Sequence, residues 1–373
     1  TSPNGATVYW KALTTDNEGR INQEKLGSKL QTTRVYLPTT GLLQSVQTMH
    51  TSNGQDTLLQ NDYYRHDAAG NLTLRIGKEA AQETFGYDSL NRLVSIALEG
   101  QTPVTMAYSL IGNITNKSNV GTYSYNSNRP HAVNSITTPI STSFSYDNNG
   151  NTLTGNGRSY TWTRFNKPAS ITETANNTTD SFLYDSEHER IKRTTTVSGN
   201  ETATLISLNP RLDLGSTYEK LITQSGTEQT YYLYANGTPF GALIKNGNGT
   251  PEPRYFLSDH LGSITAMVDE TNLASTISRH GFTGHEMLDE VELIHMNGRV
   301  YDPLVARFIS HDPVLAYPEE TQDYNCYSYV WNQPLGMIDP SGFQIDANFN
   351  FDELDAAILS IVTQQRTMQG VIN

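Results

Sequence analysis

The chain has 373 residues, a soft prior for about two to three domains or one continuous β architecture, with ample length to bury a core. Its 25 Lys and Arg against 38 Asp and Glu leave a net charge of −13, without the clustered basic face of a nucleic-acid binder. No apolar run approaches the roughly 18 residues needed to span a membrane, and a lone Cys326 excludes an intrachain disulfide framework.

The amino terminus, Thr1-Ser2-Pro3-Asn4-Gly5, lacks the basic start and apolar stretch of a signal peptide. From there the chain repeats itself, and self-similarity at a fixed period marks a repeat architecture. The unit is an aromatic residue, usually followed by Asp, then a few small polar residues, Gly or Asn, and an aliphatic. It occurs as Tyr36-Leu37-Pro38-Thr39-Thr40-Gly41-Leu42, His66-Asp67-Ala68-Ala69-Gly70-Asn71-Leu72 and Tyr87-Asp88-Ser89-Leu90-Asn91-Arg92-Leu93. Further copies start at Tyr108 and Tyr146, and a worn one runs Tyr184-Asp185-Ser186-Glu187-His188-Glu189-Arg190-Ile191. The steps from 66 to 87, from 87 to 108 and from 125 to 146 are all 21 residues.

Each unit reads as a β-hairpin. An Asp side chain can accept hydrogen bonds from backbone N–H groups two residues on, and a Gly or Asn tolerates the left-handed conformation that closes the turn. The flanks, such as Leu93-Val94-Ser95-Ile96-Ala97-Leu98, alternate with the period of half-buried strands. A single hairpin cannot cover its own apolar face, so stacked copies predict a long, twisted antiparallel sheet. The repeat tyrosines and aspartates are read as architectural, the rings packing along the sheet and the carboxylates capping turns. The second reading makes exposed tyrosines sugar-stacking platforms.

Downstream come Arg254-Tyr255-Phe256-Leu257-Ser258-Asp259-His260-Leu261-Gly262-Ser263-Ile264, then Gly281-Phe282-Thr283-Gly284-His285-Glu286. The run Met296-Asn297-Gly298-Arg299-Val300-Tyr301-Asp302-Pro303-Leu304-Val305-Ala306-Arg307-Phe308-Ile309-Ser310-His311-Asp312-Pro313 follows, and Asn332-Gln333-Pro334 leads into Asp339-Pro340-Ser341-Gly342-Phe343. These stretches resemble the core of the Rhs/YD-repeat family, with its D-H-L-G-S signature, its R-x-Y-D-P-x-x-G-R-F-x-x-x-D-P motif and its D-P-x-G boundary. The likeness is strong over 255–343 and looser over the repeats before it.

The resemblance implies an all-β fold in which the repeats of residues 1–254 wind into a shell, or β-cocoon, and a core domain at 255–343 plugs it. It implies a carrier that is secreted or displayed at a bacterial surface and encloses its own C-terminal toxin segment. A secretion-system component or a toxin-complex partner is implied beside it. It also implies that the core acts as an aspartic autoprotease, cutting after the D-P-x-G-hydrophobic motif, here between Phe343 and Gln344. Such chemistry needs two carboxylates close enough to share a proton. By analogy with the family, Asp312 and Asp339 are the pair, Asp302 a third member, and Arg307 and Arg299 orienting or charge-stabilising residues. Read from the residues alone, Asp-Pro is equally a turn opener whose side chain caps the backbone that follows. The chain departs from the family in having Ala306 where Gly is usual, Val314-Leu315-Ala316-Tyr317 after the second Asp-Pro, a longer loop at 317–324, and Phe343 in place of Leu or Trp.

Residues 344–373 change character. Asn350 and Glu353 form a capping box, and Phe351, Leu354, Ile358, Ile361 and Val362 give an amphipathic helix, the start of a variable C-terminal region. No metal or cofactor is expected. Asp346–Asn350 mimics a calcium loop but has Phe351 where Gly is required, the histidines lack zincin spacing, and Asn246–Thr250 lacks the Lys of a phosphate loop. The alternative from a different functional class is a noncatalytic surface protein in which the same hairpins bind glycans and Asp302, Asp312 and Asp339 only shape turns.

Overall fold

The computed structural model describes residues 7–79, 81–208 and 217–346. Two 13-stranded antiparallel sheets account for most of them. The first runs from Trp10–Thr15 to Thr142–Ser143 and the second from Ser145–Tyr146 to Ser275–Thr276. In both, each strand pairs with its neighbours in the chain. A four-stranded sheet follows, built from Glu286–Leu288, Leu293–Met296, Arg299–Asp302 and Arg307–Phe308. The fold is all-β, with the stacked antiparallel hairpins that the repeats predict. The C-terminal helix expected within 344–373 lies outside the described residues, which end at Asp346.

The repeating turn explains the period. Asp67 Oδ1 accepts hydrogen bonds from the backbone N–H groups of Ala69 and Asn71, both at 2.9 Å. Asp88 does the same for Leu90 and Arg92, Asp147 for Asn149 and Asn151, and Asp185 for Glu187 and Glu189. The residue three positions after the Asp closes each turn with positive φ, as at Gly70 (φ 86°), Asn91 (φ 60°) and Gly150 (φ 89°).

The aromatic residue then ties one repeat to the one before it. Tyr87 donates its hydroxyl proton to the Leu72 carbonyl at 2.8 Å, Tyr108 to Leu93 at 2.6 Å, Tyr125 to Ile114 at 2.7 Å, and Tyr146 to Val133 at 2.8 Å. These rings are half-buried, with their hydroxyls spent on carbonyls that leave the ladder at each turn.

Three copies carry other chemistry. Asp16 opens an early turn with bonds from Glu18 and Arg20. Trp162 and Thr163 replace the Tyr-Asp pair: the indole N–H reaches the Thr152 carbonyl at 2.7 Å, and Thr163 Oγ1 accepts from the Lys167 N–H. The D-H-L-G-S stretch is itself such a turn, for Asp259 accepts from Leu261 and Ser263 at 2.9 Å, and its flanking strands Glu252–Ser258 and Ile264–Val268 continue the second sheet.

The two sheets curve towards each other. The backbone N–H groups of Ser28 and Lys29 both donate to Glu270 Oε2, at 2.7 and 2.9 Å, and Leu26 and Leu30 pack on Tyr255. The core fills the space between the walls. Leu288, Val291, Leu293, Val300 and Ile309 pack on Tyr160, Ile171 and Phe182 of the second sheet. On the first sheet, Val305 meets Ile114, Val120, Tyr123, Val133 and Ile136, and Leu335 lies against Val46, Tyr64, Leu72, Phe85 and Leu93. Each large apolar side chain so buried contributes about 1.5–3 kcal/mol, which seats the core against both sheets. Among the described residues, no helix is long and apolar enough to cross a membrane.

Candidate active site

The hairpin Leu293–Met296 to Arg299–Asp302 places Arg299 in the middle of the core, 4% exposed. Its guanidinium lies over the Phe308 ring, 3.6 Å from the centroid. Nη2 contacts Asp312 Oδ2 at 2.9 Å and Asp339 Oδ2 at 3.2 Å. Nε donates to the Gly342 carbonyl, and Nη1 to the Cys326 carbonyl at 3.3 Å. One buried arginine thus joins two acidic residues that stand 27 positions apart to the segment carrying the expected cut.

Each carboxylate has a second task. Asp312 Oδ1 accepts the Val314 N–H at 2.9 Å, the turn-capping contact expected of Asp-Pro. Asp339 Oδ1 accepts the Gln344 N–H at 3.0 Å, which places this carboxylate on the amide nitrogen of the Phe343–Gln344 bond. Burial pushes the Asp312 carboxyl up to about 6, although Arg299 pulls the other way. The same contest leaves Asp339 above the ordinary carboxylate range. A proton is therefore held in the site at a pH where exposed carboxylates have lost theirs.

The loop from 339 to 346 is clamped on both sides of that bond. Ser341 Oγ accepts from the N–H groups of Phe343 and Gln344, both at 3.1 Å, and the Gly298 N–H donates to the Ser341 carbonyl at 2.8 Å. Gly342 adopts φ +76°, and a Cβ there would overlap the Met296 carbonyl oxygen. The Pro340 carbonyl is held by Asn297 Nδ2 at 3.0 Å and by His285 Nε2 at 3.3 Å. Beyond the bond, Tyr317 donates to the Ile345 carbonyl at 3.2 Å, so the long 317–324 loop reaches the far side of the junction.

The other two named residues lie elsewhere. Asp302 Oδ1 accepts from Leu304 and Val305 at 3.0 Å, while Oδ2 meets Asn156 Nδ2 at 3.0 Å and Arg158 Nη1 at 3.3 Å, clasping core to wall. Arg307 points into the first sheet, towards the Gly112 carbonyl at 3.4 Å and the Tyr125 hydroxyl at 3.5 Å. Between them, Ala306 keeps the positive φ, 58°, of the glycine usual there. Sequence reasoning missed Ser341, Gly298 and Tyr317 as neighbours of the junction. Of these only Tyr317 carried a signal, the added loop length.

A wall of tyrosine–aspartate hairpins packed on a core of this kind is the architecture of a Rhs/YD-repeat shell protein, the family this chain resembles. It matches no protein-family model. It is 25% identical over 276 residues to the tRNA3(Ser)-specific nuclease WapA of Bacillus spizizenii, covering 69% of this chain and 12% of that protein. The tRNA nuclease WapA of Bacillus subtilis matches at the same identity and coverage. The chain therefore spans about an eighth of the length of these curated relatives. Among solved structures, the fold is similar to the Photorhabdus luminescens Tc holotoxin pore with a TccC3 mutation. The TM-score is 0.68 at 17% identity, over 92% of this chain and 19% of that one. TcdB2-TccC3 aligns with a TM-score of 0.64 at 18% identity, over 90% and 20%.

Proposed function

We propose that this chain is the C-terminal part of an exported Rhs-type toxin carrier, whose hairpin wall encloses a following toxin segment and whose core frees it by self-cleavage between Phe343 and Gln344. One observation carries the reading. Asp312 and Asp339 meet on a single guanidinium nitrogen of Arg299, and Asp339 also touches the amide nitrogen of Gln344.

Burial raises both carboxyls against the pull of Arg299, so the pair keeps a proton to share at a pH where exposed carboxylates have lost theirs. Asp312, as carboxylate, takes a proton from water as its oxygen bonds to the Phe343 carbonyl carbon. Asp339, the more deeply buried, delivers its proton to the Gln344 nitrogen as the C–N bond breaks. The products are a carboxylic acid at Phe343 and an amine at Gln344. Asp302 and Arg307 contribute by seating the core against the wall. The wall is read as a container: the whole chain's net charge of −13 does not favour a grip on nucleic acid, and the nuclease activity named for the WapA relatives is not carried over to these hairpins.

Intact mass measurement of the freshly purified chain tests the proposal. The expected result is two fragments, ending at Phe343 and starting at Gln344, with both Asp312→Asn and Asp339→Asn remaining whole. A wild-type chain of full mass, indistinguishable from both variants, refutes self-cleavage.

A further inference from the structure

We infer that Gly298 and Phe343 form a matched pair that decides which side chain can precede the cut, Gly298 leaving the recess that the Phe343 ring fills. The inference deepens the reading of Phe343–Gln344 as the bond broken, and rests on it. A Cβ on Gly298 would stand 2.6 Å from two carbons of the Phe343 ring, closer than real carbons approach. Gly298 does not lie in the left-handed region, unlike Asn297 before it at φ 59°. The glycine is therefore required for space, and any residue could adopt its backbone.

The Phe343 ring cannot take a new side chain on Gly298 into account by sliding along the backbone. Gly342 is wedged against the Met296 carbonyl, its own carbonyl is held by Arg299 Nε, and the Ser341 carbonyl is held by the Gly298 N–H. Relief must come from rotating the ring, whose centroid sits 6.0 Å from the same Arg299 guanidinium that lies over Phe308. Displacing it disturbs the group that joins both carboxylates. The recess thus favours a flat aromatic ring beside an arginine face, a preference that accompanies Phe343 here.

Cell-free synthesis of the full chain, sampled over time onto denaturing gels, tests the pair with wild type, Gly298→Ala, Phe343→Ala and the double variant. Gly298→Ala alone should slow cleavage on the order of tenfold or more, as expected for a small displacement of a reacting bond. In the Phe343→Ala background the same substitution should change the rate less than about twofold, since no ring remains to be displaced. Equal slowing in both backgrounds overturns the pairing. If the wild type stays whole, the proposed self-cleavage falls, and the pair is judged on thermal midpoints alone. A midpoint drop from Gly298→Ala that vanishes without the Phe343 ring supports it, and a drop that persists overturns it.

Discussion

Replacing Asp312 by Asn keeps the shape of the side chain and an oxygen for the Val314 N–H while removing the carboxyl that burial has shifted. In the folded protein that carboxyl titrates at about 6, against 3.8 for its ordinary value. A carboxyl raised on folding binds its proton more tightly in the native state, so its contribution to stability is fully present below pH 4. That contribution is lost as the pH rises through 6. The difference corresponds to about 3 kcal/mol, applied without a large discount because the side chain is only 13% exposed. With an unfolding entropy scaled to the length of this chain, the gap is worth about 4 °C in thermal midpoint. Scanning calorimetry of wild type and Asp312→Asn at pH 4 and pH 7.5 reads the effect, since groups beyond the coupled Asp339 and Arg299 titrate alike in both. The expectation is that the variant gains on the wild type by about that amount between the two pH values. A gap that stays constant, or a variant that loses ground at pH 7.5, would show that the Arg299 contact outweighs burial and that the Asp312 carboxyl is not raised in the folded protein.

Two further substitutions test the wall and the plug. Tyr108→Phe removes the hydroxyl from the Leu93 carbonyl and should cost about 1–3 kcal/mol in chemical denaturation, whereas Tyr63→Phe, at a ring 40% exposed, should change little. Ala306→Gly relieves a left-handed alanine at a cost of one half-buried methyl, and should stabilise the chain by about 1 kcal/mol or less. A destabilised variant would mean that the methyl matters more than the backbone strain.

The repeats were legible because their chemistry is local. An Asp that caps N–H groups two and four residues on, with Gly or Asn next to the last, leaves its signature within seven letters. The copies that escaped are those in which another residue performs the same task, Trp162 for Tyr and Thr163 for Asp, or in which the aromatic is lacking, as before Asp16. The bond from each tyrosine to a carbonyl 11 to 15 residues earlier was not legible, because it depends on how one hairpin lies on the next. In the core, Asp302, Asp312 and Asp339 share one local pattern, each preceding a proline, and all three do cap backbone.

From its letters alone the chain determines strands, turns and a 21-residue period, since each of these is set by neighbours along the backbone. The tertiary structure alone decides that Asp312 and Asp339 converge on Arg299 while Asp302 turns to Arg158, and that Gly298 lies beneath Phe343. Those choices depend on how the core is seated between two curved walls. That seating is fixed by apolar packing summed over residues far apart in the chain, a quantity that no short stretch of sequence contains.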